Sequence, residues 1–135
     1  MTALLDLELD ETNWPAMKAI SLRQPFANLI ASGEKTIETR TWFARYRGRL
    51  AICASKSKKA YMGIASEPPY GCVVAVCNLV DCKEMELEDV TQACCLFRPG
   101  AYSWFLEDIV RVRPVPVRGA LGLFNIDPAI IEILE

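Results

Sequence analysis

The chain contains no histidine. Its six cysteines, Cys53, Cys72, Cys77, Cys82, Cys94 and Cys95, include no Cys-x-x-Cys pair, so the common zinc spacings are absent. No run approaches the ~20 apolar residues that a membrane-spanning helix requires. Met1 to Glu11 carries Asp6, Glu8, Asp10 and Glu11 without one basic residue, the reverse of a secretory signal. Internal repeats and low-complexity segments are also missing. These absences point away from a zinc site, a membrane span and export. The expectation is a soluble, cytoplasmic protein without membrane association, whose thiols stay reduced and serve packing. The adjacent Cys94 and Cys95 are left without a role.

With 135 residues and 52% hydrophobic content, the chain is long and apolar enough for one domain with its own core. The expected division is an acidic leader over residues 1–17 and a folded domain over 18–135. A net charge of −2 hides a strong segregation. Lys18, Arg23, Lys35, Arg40, Arg45, Arg47, Arg49, Lys56, Lys58 and Lys59 fall within one stretch, opposed only by Glu34 and Glu38. Acidic residues collect in the leader and in Asp81 to Asp89. A basic stretch in an acidic protein suits an anionic ligand such as a nucleic acid or nucleotide, or forms a solvated surface.

The apolar pattern predicts many short strands and few helices. Lys18 to Leu22 reads as a strand. From Pro25, favoured in a first helical turn, Phe26, Leu29 and Ile30 recur at helical spacing, and Gly33 supplies the stop. Strands are expected over 35–42 and 49–55, the second with Leu50, Ile52 and Ala54 on one face. Residues 56–65 read as a short helix. Cys72 to Val80 reads as a central strand buried on both sides. Leu87 to Cys95 reads as helical, ended by Arg98-Pro99-Gly100. Tyr102 to Leu106 reads as a strand, while Pro114 and Pro116 confine 111–117 to an edge or a linker. A strand over 119–126 and a short helix from Pro128 complete an α+β domain centred on a barrel or curled sheet.

The densest chemistry lies in Gly33-Glu34-Lys35-Thr36-Ile37-Glu38-Thr39-Arg40. Strand alternation places Thr36, Glu38, Arg40 and Trp42 on one face, and Lys35 has to reach the same space from a turn. The set offers a proton acceptor, two cations and a flat aromatic surface. A Glu and an Arg two apart on a strand also occur as a solvated pair contributing ~0.2–1 kcal/mol, so spacing alone does not make a site.

The blocks Ile20 to Phe26, Leu29 to Trp42, Gly48 to Lys56, Gly71 to Val80, Trp104 to Asp108 and Pro114 to Phe124 resemble, in order and spacing, the ASCH family. The resemblance implies a small PUA-like β-barrel, a curled mixed sheet with a few short peripheral helices, and a ligand cleft. Carried over by position, it implies that Gln24, Lys35, Glu38, Arg40, Trp42, Ser55 and Lys56 line that cleft, with Trp104 a further candidate beside Tyr102. A Trp at strand spacing is more often core than platform, because its burial removes so much apolar area. Phe26 stands where relatives often carry Trp.

Two functions remain open at this point. In the first, an RNA- or modified-nucleoside-binding domain, Trp42 stacks on a base, Arg40, Lys35 and Lys56 hold phosphate or carbonyl oxygens, and Gln24 and Glu38 read a base edge. In the second, a metal-independent amidohydrolase acting on acylated cytidine or a related small amide, Lys35 is nucleophile or base and Glu38 can serve as general base. The small hydrolases of the family use a Lys, a Thr and a Glu. Lys35 matches the first of these. Glu38 stands where they have Thr, and no later acid aligns, Glu86, Glu88 and Asp89 being the nearest. No cofactor or metal is implied, and no signal fixes an oligomeric state. A protein-interaction module using the two acidic segments has no specific motif behind it.

Overall fold

The structure, a computed structural model, describes residues 17–57 and 68–134. Apart from Met17, the expected acidic leader lies outside the described residues, as does most of the helix expected over 56–65.

Six strands form one mixed sheet: β1 (Met17–Leu22), β2 (Ile37–Arg40), β3 (Gly48–Ala54), β4 (Cys72–Glu84), β5 (Tyr102–Pro116) and β6 (Phe124–Ile126). Their order across the sheet is β2-β5-β4-β3-β1-β6. β1 and β3 run parallel, with Lys18 opposite Leu50 and Leu22 opposite Ala54. A parallel pair needs a crossover. Here the crossover consists of helix α1 (Phe26–Ala31) and β2, so the basic, motif-bearing segment leaves the sheet, covers it and rejoins it beyond β5.

Local chemistry explains α1. The Gln24 Oε1 accepts a hydrogen bond from the Asn28 backbone N–H at 2.9 Å, satisfying a first-turn donor. At the other end, Gly33 takes φ +86°, a left-handed conformation that glycine adopts without a Cβ clash. Ala27 and Ile30 are buried by the helix. They join Ile20, Leu22, Leu50, Ile52 and Ala54 in the larger of the core clusters. The opposite face of β1 and β3, through Met17, Ala19, Ala51 and Cys53, packs with Val112 and Ile131 in a second cluster. Both faces of β3 are covered, so it is buried from Arg49 to Ala54 where one apolar face was expected, while β1 keeps Lys18 and Ser21 partly exposed.

β4 and β5 are long and bent. Their pairing slips between Val73 and Ala75, between Val76 and Asn78, and between Leu79 and Asp81. On β4, Cys72 and Val74 join the first cluster, then the parity changes to Ala75, Cys77 and Leu79, and changes again to Cys82. The parity changes on β4 fall at the first and third slips, where a bulge keeps apolar residues on one face while turning the strand. Asp108, at φ +53°, marks one such point on β5.

Four expectations are corrected. The sheet does not close into a barrel: β2 and β6 are its edges and share no pairing. Residues 111–117 are not a separate edge or linker but mostly the far half of β5, a single strand from Tyr102 to Pro116. The prolines are tolerated because β2 pairs only with Tyr102 to Phe105, so the far half has one side free of β2. The strand over 35–42 is shorter, Ile37–Arg40, and the one over 119–126 is confined to Phe124–Ile126.

The sheet is nonetheless strongly curled. β2 and β1 stand four places apart, which is roughly 19 Å in a flat sheet. Yet the Arg40 guanidinium on β2 donates through Nη2 to the Ser21 carbonyl on β1 at 2.8 Å. β6 pairs only with Met17 to Ala19, so it stops short of Ser21 and Leu22. The gap between the β2 edge and this end of β1 is bridged by a side chain instead of a backbone ladder.

All six cysteines are free thiols, and Cys53, Cys72, Cys77 and Cys82 are buried. Burial pushes the Cys53 and Cys77 thiols from 9.0 up to about 12. The unfolded chain therefore loses these two protons first as pH rises. Stability from them is complete below pH 9.0 and declines towards pH 12. Urea titrations over that window should show stability falling with a contribution approaching about 3 kcal/mol per pH unit from the two thiols together. The Cys53→Ala/Cys77→Ala variant should flatten the slope, and an equal slope would refute the assignment.

Candidate functional site

Lys35, Glu38 and Arg40 come together as alternation and the turn predict. After the Gly33 turn the Lys35 side chain runs inward until only 2% of the residue is exposed. Its ammonium donates to the Ala93 carbonyl, lies 3.5 Å from Glu38 Oε1 and stands 5.5 Å from the Phe26 ring centroid. The other carboxylate oxygen, Oε2, accepts from Arg40 Nε at 2.8 Å. A nearly buried carboxylate is thus held between two cations, one buried and one at the surface of the cleft. In low dielectric such a set persists only because each charge has its partner.

These groups line a cleft of about 690 Å³. Ser21, Leu22 and Arg23, at the end of β1, form one side, Phe26 adds an aromatic ring from α1, and Lys35, Glu38, Thr39 and Arg40 form the base. The far wall is the segment Cys95-Leu96-Phe97-Arg98. It follows a 3-10 turn (Leu87–Asp89) and the short helix α2 (Val90–Ala93), after which Cys94 turns the chain at φ +55°. This wall is tied to the β2 segment at several points. Thr36 N–H donates to the Gln92 carbonyl at 3.0 Å, and Lys35 donates to Ala93. Cys94 Sγ donates to the Glu34 carbonyl at 3.7 Å, and Cys95 Sγ lies 3.7 Å from Thr39 Oγ1. Four cations, Arg23, Lys35, Arg40 and Arg98, face the cleft against one carboxylate, Glu38.

The other expected site residues are placed elsewhere. Gln24 is fully buried, and its Nε2 donates to Asn28 Oδ1 at 3.0 Å and to the Pro69 carbonyl at 2.9 Å. With its oxygen serving α1, it is a structural amide, committed to the fold. Trp104 is completely buried in the first core cluster, its indole Nε1 donating to the Trp42 carbonyl at 3.4 Å. Trp42 is 37% exposed and meets Trp104 edge to face, with centroids 4.8 Å apart, but it does not line the cleft. Tyr102 packs edge-on against Phe43. Ser55 and Lys56 line a neighbouring cleft of about 410 Å³ that shares Ser21 with the first.

Of the acids near the second acidic segment, Asp89 is buried and accepts from Ser103 Oγ and from the Glu86 backbone N–H, both at 2.9 Å. Glu86 and Glu88 are exposed, and none of the three lines the cleft. Sequence reasoning missed the far wall. Its signals were present, in the unexplained Cys94-Cys95 pair and the exposed Leu96 and Phe97, but nothing local says that residues 60 positions from Glu34 return to it.

The chain matches the family model described as the ASCH domain over residues 20–116. It belongs to the ASCH domain family. It is 29% identical over 80 residues to activating signal cointegrator 1 of Homo sapiens, and 28% identical over 80 residues to that of Mus musculus. In each case the match covers 47% of this chain and 14% of the relative, so this chain spans a small part of the relatives' length. The crystal structure of ASCH from Zymomonas mobilis superposes with a TM-score of 0.58 at 18% identity, covering 87% of this chain and 90% of that one. A mutant of the same protein gives a TM-score of 0.58 at 18% identity over 82% of this chain and 90% of its own. At that identity the likeness is one of fold.

Removing one member of the buried charge set tests how this ASCH domain holds its cleft. Glu38→Ala leaves the Lys35 ammonium buried without its carboxylate and should cost about 3–5 kcal/mol in urea unfolding. Arg40→Ala, which removes a partner whose side chain is 25% exposed, should cost less. Equal, small losses would mean that Glu38 is not the counterion of Lys35.

Proposed function

We propose that this ASCH domain binds RNA, or a nucleotide or modified nucleoside, in the cleft between the end of β1 and the 95–98 wall. The observation that carries this reading is the lining: four cations and one carboxylate around two phenylalanines, in about 690 Å³. That volume falls within the ~300–1,000 Å³ of small-ligand sites. Arg23 and Arg98, exposed at the rim, suit phosphate oxygens. Phe26 and the 39%-exposed Phe97 offer ring faces on which a base can stack. Glu38 accepts and Arg40 donates, a pairing suited to a base edge. Stacking passes in this reading from Trp42 to Phe97, and base-edge contact from Gln24 to Arg40, because Trp42 lies outside the cleft and the Gln24 amide is committed. Counterion release makes such binding salt-dependent.

The test is a titration with single-stranded RNA across a salt series. Arg98→Ala should weaken binding and reduce the slope of log affinity against log salt by about 0.7–1. An unchanged slope removes Arg98 from the interface, and no binding at physiological salt overturns RNA as the ligand.

One observation supports a second reading, hydrolysis of an acylated nucleoside or related amide. Lys35 Nζ and Glu38 Oε1 stand 3.5 Å apart at the base of the cleft. In that reaction Glu38 takes a proton from water, the oxygen adds to the acyl carbon, the C–N bond breaks and Lys35 supplies a proton to the leaving amine. Incubation with a panel of acylated nucleosides, followed by chromatography, decides it. Deacylation lost in Lys35→Ala supports the reaction, provided circular dichroism shows the variant folded. No product from the wild-type protein excludes it for that panel.

A further inference from the structure

We infer that the neighbouring cleft is a second subsite for the same strand, so that the ligand is an oligonucleotide that occupies both. This rests on the nucleic-acid reading of the first cleft. The two clefts meet at Ser21, which lines each of them. Arg40 fixes this shared point from one side through the Ser21 carbonyl, at 2.8 Å. On the other side a Cβ added to Gly119 would lie 2.8 Å from Ser21 Oγ, so the 117–121 segment approaches as closely as a bare backbone allows. The two clefts thus adjoin at Ser21, with the Arg40 guanidinium on one side of it and the Gly119 backbone on the other.

The second cleft has the chemistry of a backbone-binding site. Its volume is about 410 Å³, and its lining includes Lys56 and Arg118 but no carboxylate. Among the described residues neither cation forms an ion pair. The walls are stitched together: Gly71 N–H donates to the Ala54 carbonyl at 2.8 Å, and Val117 N–H donates to the Gly71 carbonyl at 3.1 Å. Gly71, at φ +67°, leaves a groove filled by the Lys56 stem. A Cβ there would meet Lys56 Cγ at 3.2 Å and Cε at 3.3 Å. Lys56 is thereby laid along the cleft instead of trailing freely in solvent. The second cleft lacks aromatic side chains, whereas the first has Phe26 and Phe97. The division of labour follows: a base is held in the first, and the sugar-phosphate of an adjoining residue in the second. Two linked subsites bind a linked ligand more tightly than either fragment, because the second contact becomes intramolecular.

The experiment compares uridine 5′-monophosphate with single-stranded octauridylate, using the full chain and the Lys56→Ala/Arg118→Ala variant. A Lys56→Gln/Arg118→Gln variant keeps the stems and controls for packing. Octauridylate should bind the wild type at least about tenfold tighter than the mononucleotide. Either double variant should lose most of that difference and about 1.4 of the salt slope, while mononucleotide affinity stays constant. A variant that binds octauridylate as the wild type does, with the mononucleotide still bound, overturns the second subsite and leaves the first-cleft reading standing. Equal losses for both ligands overturn the division into subsites. Inorganic octaphosphate binding as tightly as octauridylate replaces the oligonucleotide with a general polyanion. Failure of the wild type to bind either nucleotide ligand overturns the first-cleft reading and this inference with it.

Discussion

The hydrogen bond from Arg40 to the Ser21 carbonyl is the contact around which the molecule is arranged. A sheet ordered β2-β5-β4-β3-β1-β6 puts these residues on strands four places apart, and only strong curling brings them within reach. The curl comes from the bulges that turn β4 and β5. A fully paired seam would be continuous wall. Because a guanidinium spans the gap instead, an opening remains beside it, and the cleft occupies that opening. The same guanidinium is held by Glu38, so the geometry of the seam and the charge of the site are set by one side chain.

Behind Arg40 stands the buried ammonium of Lys35, which joins two parts of the chain. It satisfies the last carbonyl of α2 and the carboxylate of Glu38 at once. Burying a lysine is costly unless its charge is paired and its hydrogens are bonded, and both conditions are met here. The consequence is mechanical as well as electrostatic. The segment carrying Phe97 and Arg98 is fixed to the β2 segment through Lys35, through Thr36 and through the thiols of Cys94 and Cys95. The far wall of the cleft is therefore placed by the residues that form its base.

The aromatic residues divide by position more than by type. Trp104 fills the core against which Trp42 leans, a packing role that large rings commonly have. Phe26 and Phe97, smaller and less conspicuous in the sequence, line the cleft. The cysteines divide similarly. Those in β3 and β4 are interior apolar groups, whereas Cys94 and Cys95 sit where the wall meets the base.

Much of the strand and helix content was legible from periodicity and turn residues, because those signals are local. Leu50, Ile52 and Ala54 alternate, α1 stops at Gly33, and Cys72 to Cys77 is apolar on both faces because both faces are covered, although the run ends in a buried Asn78 and an exposed Val80. The cluster of Lys35, Glu38 and Arg40 was legible for the same reason, since a turn and a strand set their directions. Closure was not, because whether a curled sheet meets its own far edge depends on bulges at Val73, Val76 and Leu79 and on a β6 too short to cover Ser21. Nor were the commitment of Gln24 to Pro69 or the return of Cys95 to Arg98 beside Thr39, whereas the burial of Trp104 agrees with the core role expected of a Trp at strand spacing. The first two are contacts between residues distant in sequence, and a side chain's availability is decided by what the folded chain places next to it. The sequence by itself determined which charges and rings would be near β2. Only the tertiary structure decided which of them face an opening and which are consumed in holding it.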